Sequence, residues 1–182
     1  MWDVACSLRN SVSNAFARAW VTSLQVIPKK TECKYSELEE VMLPLLRGRV
    51  FHVTKHETFN YICQRGWICS NQPGPFAFTL GQSKSSYGRK RGWVSLFDLS
   101  NTTDAYVKEA LIRYWFLRTM RKGTHVYSFI AEAAWPSLIS WKRASREVGA
   151  TEVFIPFVET WYPGDIPLHL VSDSLAVTVQ SA

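Results

Sequence analysis

The chain reads as one α+β domain, with strands outnumbering helices and no regular strand–helix alternation. Three observations carry this. Its 182 residues are 47% apolar and 20% charged, enough apolar side chain for a real core and too much for a disordered chain. Short apolar runs bounded by Gly, Pro and Ser recur through the second half, as strands do. Helical spacing of apolar residues gathers mainly in the first half, and this segregation predicts α+β rather than repeated βαβ units.

Val4, Leu8, Val12, Ala15, Phe16 and Ala19 recur at intervals of three and four and predict a helix over residues 3–20. Pro28, Lys29 and Lys30 end that region. Leu38, Val41, Met42 and Leu45 predict a second helix over residues 36–46, with Pro44 kinking or shortening it. Residues 1–48 therefore read as a helical N-terminal part, packed on a core of residues 49–182 within a single domain.

Residues 49–53 are apolar enough for a strand, and Thr54 followed by Glu57 has the spacing of a capping box that opens a helix. Phe59, Ile62 and Cys63 mark that helix's buried face, Gly66 ends it, and residues 67–69 form the next strand. A polar stretch from Ser70 to Gly92 is long for a structureless loop, which points to a functional loop or a disordered one, with a short strand at residues 76–80. Strands follow at residues 93–99, 125–133 and 152–158, a helix at residues 103–121, and a shorter helix over residues 136–148 beginning at Pro136. Tyr162-Pro163-Gly164-Asp165 is a turn leading to strands at residues 166–171 and 175–179.

The net charge of +6 is a modest excess that suits a phosphate-bearing small molecule, a polyanion or a solvated surface. Lys84, Arg89, Lys90 and Arg91 concentrate part of it in the polar stretch. Cys6, Cys33, Cys63 and Cys69 form no CxxC pair, and no Cys/His spacing matches a metal site, so no metal is expected. The start of the chain lacks the apolar core of a signal peptide, and no apolar run is long enough to span a membrane. The expected setting is the cytoplasm, without membrane attachment.

His52 ends a strand just before a helix N-terminus, where amide hydrogens favour an anion, and Thr54 follows on the same side of the extended chain. Such a pair can bond the ribose or amide of a nucleotide, or be a satisfied core histidine beside a cap. His52 and His56 have HExxH-like spacing, but the helix starts between them and the rings should diverge. Glu152, at the head of EVFIPFV, can support an oxocarbenium-like cation or be a boundary charge; Glu159 and Glu132 compete for that role. Residues 81–89 lack the spacing of a phosphate-binding P-loop and read as a solvated loop or a phosphate-contacting lid.

In order along the chain, three segments resemble the ADP-ribosyltransferase superfamily, and within it the histidine-type branch that includes DarT-like toxins and, more distantly, RNA 2′-phosphotransferases. These are Phe51-His52-Val53-Thr54 before a helix and Gly66; Arg89-Lys90-Arg91-Gly92-Trp93-Val94-Ser95-Leu96-Phe97; and Thr151-Glu152-Val153-Phe154-Ile155-Pro156. The resemblance covers roughly residues 48–180 and leaves the N-terminal part unexplained. It implies a split β-sheet core with NAD, as substrate, in the cleft. His52 would bond the NAD ribose and Thr54 the nicotinamide side, with Arg89 of the basic loop also among the cofactor-binding residues. Tyr87 would stack on nicotinamide, with Ser95 or Tyr106 as alternatives for that middle position. Glu152 would be the catalytic carboxylate. The implied activity is mono-ADP-ribosylation of a macromolecular acceptor, nucleic acid or protein, by a toxin or defence effector with a cognate inhibitor protein. Ala150 stands where protein-modifying relatives carry Gln or Glu, which weakens an arginine-modifying reading. The rival reading is a non-enzymatic nucleic-acid or nucleotide-binding domain that uses the same basic loop and aromatics.

Overall fold

Successive side chains of a strand point to opposite faces, and the consecutive buried residues along Val50–Lys55, Gly123–Ile130 and Val171–Gln180 give strands that bury both faces. They form the centre of the sheet in the computed structural model, which describes residues 27–70, 85–114, 117 and 123–180. The described strands are β1 (Lys29–Lys34), β2 (Val50–Lys55), β3 (Trp67–Ile68), β4 (Trp93–Asp98), β5 (Gly123–Ile130), β6 (Ile139–Ser140), β7 (Glu159–Pro163), β8 (Ile166–Pro167) and β9 (Val171–Gln180). Seven of them make one sheet in the order β1-β9-β5-β2-β4-β7-β6, antiparallel except for the β1–β9 pair, and β3 pairs with β8 apart from it. The helices are α1 (Leu38–Leu46), α2 (His56–Arg65), α3 (Tyr87–Lys90), α4 (Asp104–Tyr114) and α5 (Trp141–Glu147). The fold is α+β, as the sequence predicts.

Helices cover both faces of the sheet. On one, Leu38, Met42 and Leu46 of α1 and Val107, Ala110 and Leu111 of α4 pack on Phe51, Val53, Tyr127, Phe129, Leu175 and Val177. On the other, Phe59 of α2 meets Val126 and Ala176, and Ile62 meets Val50, Val94, Leu96 and Ile130. Each large apolar side chain buried in this way contributes about 1.5–3 kcal/mol.

The ladder is uneven, and its weak point positions the site. β2 holds five register pairs with β5, and β4 holds five with β7. Between β2 and β4 the register runs only through Val50↔Asp98 and Phe51↔Phe97. The two strands stop pairing at His52, so a seam opens between a β1-β9-β5-β2 half and a β4-β7-β6 half.

Several expectations are corrected. The N-terminal part is not wholly helical: Lys29–Lys34 form β1, laid parallel on β9. Its polar, lysine-rich sequence suits an exposed sheet edge and gives no apolar signal to read. The helix over residues 3–20 and the strand at residues 76–80 lie outside the described residues. Thr54 does not cap α2. The strand runs on to Lys55, which takes the N-cap position without a side-chain bond, while Thr54 is buried opposite Val126. Residues 152–158 are not a strand. Pro156 has no N–H to give a ladder, Phe157 turns the chain at φ +71°, and only Val153 makes an isolated bridge, to Ser86. The segment forecast as one helix over residues 136–148 divides into a 3-10 turn, β6 and α5.

Candidate functional site

At the seam, a side chain replaces a backbone pair. His52 Nδ1 lies 3.0 Å from the main-chain oxygen of Ser95 on β4. A carbonyl only accepts, so Nδ1 carries the proton and Nε2 is left as the acceptor nitrogen. Among the described residues nothing bonds Nε2. Burial pushes the imidazole's pKa down, and the bond to the Ser95 carbonyl opposes this only in part. The ring is therefore neutral at pH 7.

In an unbroken ladder His52 would stand opposite Leu96 and face the side covered by α2, away from the face that carries Ser95 and Trp161. Because pairing ends one residue earlier, the ring turns across the gap to β4. Ser95 then joins two groups. Its carbonyl accepts the hydrogen bond from the His52 ring, and its hydroxyl faces the carboxylate of Glu159 on β7.

Glu159 is 8% exposed, and among the described residues no cation pairs with it. Burial raises its pKa to about 7, against the pull of the Ile155 N–H, the Ser95 hydroxyl and the Trp161 indole. The Ile155 N–H donates to Oε2 at 2.7 Å, and the Glu159 N–H returns a bond to the Ile155 carbonyl at 3.0 Å. The Trp161 Nε1 faces the carboxylate but makes no hydrogen bond of ordinary geometry, although the indole is wholly buried. A buried carboxyl half ionised near neutrality, beside unspent donors, is suited to taking or holding a proton.

Glu152 lies in a different environment. Arg91 Nη1 donates to its Oε1 at 2.9 Å and the Gly149 N–H to its Oε2 at 3.0 Å. Arg91 above all, then Gly149, holds its pKa below the usual carboxylate range. Both oxygens are committed, and among the described residues nothing links Glu152 to His52. The same Arg91 lies 3.7 Å above the Tyr87 ring and donates to the Tyr87 carbonyl at 2.8 Å.

Tyr87 is 0% exposed, packed on Trp161 at 4.9 Å between centroids, and its hydroxyl donates to Glu147 Oε2 at 2.6 Å. A ring enclosed in this way has no free face for a flat ligand, so the stacking role drawn from the sequence does not fit. Arg89 lies on α3 beside it. Tyr106, the alternative aromatic, is 41% exposed and lies flat on Phe157 at 4.5 Å.

The structure thus brings together His52, Ser95 and Glu159, sets Thr54 two residues along the same strand, and separates Glu152 and Tyr87 into the clamp that fastens α3, which carries Arg89, to residues 147–153. The signal that could have chosen Glu159 is the Pro156-Phe157 pair, which ends the apolar run as a strand and moves the strand start to residue 159. Among the described residues no group of three or more His, Cys, Asp or Glu could hold a metal, and no helix is long and apolar enough to cross a membrane.

No protein-family model, curated protein or solved structure matches this chain.

Proposed function

We propose that the chain is an NAD-dependent ADP-ribosyltransferase whose nucleotide site is the seam between β2 and β4, with Glu159 rather than Glu152 as the working carboxylate. The observation that carries this reading is the convergence of His52 and Glu159 on Ser95 at the point where the sheet stops pairing. The lone pair on His52 Nε2 suits a ribose hydroxyl donor. Glu159 accepts a hydrogen bond from a second hydroxyl and, ionised, stabilises positive charge on the sugar as the C–N glycosidic bond breaks. The bonding pair leaves with nicotinamide, and a nucleophile of the macromolecular acceptor takes the sugar carbon. The basic and aromatic residues on which a purely nucleic-acid-binding reading leans are partly consumed internally, since Arg91 and Tyr87 belong to the clamp.

Nicotinamide release from NAD by the purified chain tests the proposal. Glu159→Gln should lower it about 100-fold or more while NAD still binds, His52→Ala should weaken NAD binding, and Glu152→Gln should leave both within a few-fold of the parent. Full activity in Glu159→Gln rejects this carboxylate, and a folded parent that neither binds nor cleaves NAD rejects the transferase reading.

A further inference from the structure

His52, Ser128 and Ser174 stand in one row across β2, β5 and β9, by the register His52↔Ser128↔Ser174. Both serines are 0% exposed, and neither hydroxyl has a hydrogen-bond partner. The rows on either side are apolar except for Thr54, opposite Val126, and are capped by α2: Phe59 rests on Val126 and Ala176, and Ile62 on Val50 and Ile130. Two unsatisfied hydroxyls side by side in such a place are costly unless something bonds them.

The register supplies the reach. Cross-strand Cβ atoms lie about 5 Å apart, so two hydroxyls too distant to bond each other fall within range of one shared oxygen. A histidine standing upright on β2 would crowd Ser128. Here the ring leans the other way, to Ser95. Nothing in the row is charged while His52 is neutral, which disfavours an ion. Complete burial under α2 excludes a larger molecule. The occupant must both donate and accept.

We propose that this row is a site for one internal water, bridging the Ser128 and Ser174 hydroxyls under α2. The site is independent of the transferase reading, because it needs only the register and the two hydroxyls.

A high-resolution crystal structure of the full chain should show a solvent peak about 3 Å from both Oγ atoms. Ser128→Ala and Ser174→Ala should each lower the folding equilibrium constant about tenfold in urea titrations. The double variant should lose little more than the worse single one, since the first substitution already removes the bridge. Absence of the peak overturns the site. So do alanine variants as stable as the parent or more so, with additive effects, because deleting an empty, unsatisfied hydroxyl is neutral or stabilising.

Discussion

At Glu159 the site's chemistry and its cost to folding meet. A carboxyl whose folded pKa is about 7, above its unfolded value, is bound by a proton more often in the folded than in the unfolded state between those two values. Stability should therefore be fullest below the ordinary carboxylate range and fall as pH rises towards 7, by on the order of 3 kcal/mol. Glu159→Gln should flatten that slope, and chemical denaturation at pH 5 and pH 8 measures it. Trp161→Phe removes one of the groups that lower this pKa, so the carboxyl should titrate higher still, as read from its infrared band or side-chain NMR. Glu152 has the opposite sign: its pKa is depressed by Arg91, so its contribution is present above the ordinary carboxylate range and lost on acidification. Glu152→Gln should cost about 1–2 kcal/mol at pH 7 and remove that acid sensitivity.

Among the elements, α3 shows how one small residue fixes a contact. A Cβ on Gly88 would lie 2.0 Å from Trp161 Cδ1 and 2.4 Å from Nε1, so the turn can lie against the indole only as glycine. Trp161 is held on its other contacts by Tyr87 and Phe154 and cannot yield cheaply. Gly88→Ala should cost several kcal/mol, in the range of core overpacking, and should disturb the Glu159 titration because Trp161 moves. A thermal melt and the same carboxyl titration check both effects. Phe157 is the complementary case: a non-glycine residue at φ +71°, stacked on Tyr106 and met edge-on by Trp141, ends the apolar run just before β7. Periodicity and apolar content located β2, β4, β5 and α2 well, because each is a short segment that must bury apolar side chains at the repeat of its own geometry. They failed at residues 152–158, where apolar side chains fill a packed irregular segment that has no repeat, and at β1, whose polar edge needs none.

Over the whole molecule, the seam predicts two units of unequal strength. β5 and β9 share eight register pairs and β1 seals their far side, whereas β4-β7-β6 joins the rest of the sheet through two. Native-state hydrogen exchange in rising urea should open β4, β7 and β6 before the β5–β9 ladder. Simultaneous exchange of both halves would show that the helices, not the ladder, set the cooperativity. A ligand in the seam should delay opening of the weaker half, by the usual linkage of binding to stability.

By itself the sequence determined the α+β class, most of the strands and the helix ending at Gly66, and it singled out His52 as a candidate. Composition and local apolar spacing are enough for those, since they reflect what each segment must bury. Only the tertiary structure decided which carboxylate accompanies His52. Glu152 and Glu159 are both acidic residues flanking one apolar run, and nothing local distinguishes them. The difference lies in what the fold brings to each: Arg91, from 61 residues earlier, satisfies Glu152, while Glu159 is buried beside Ser95 at the edge of a seam that exists only because β2 and β4 cease to pair.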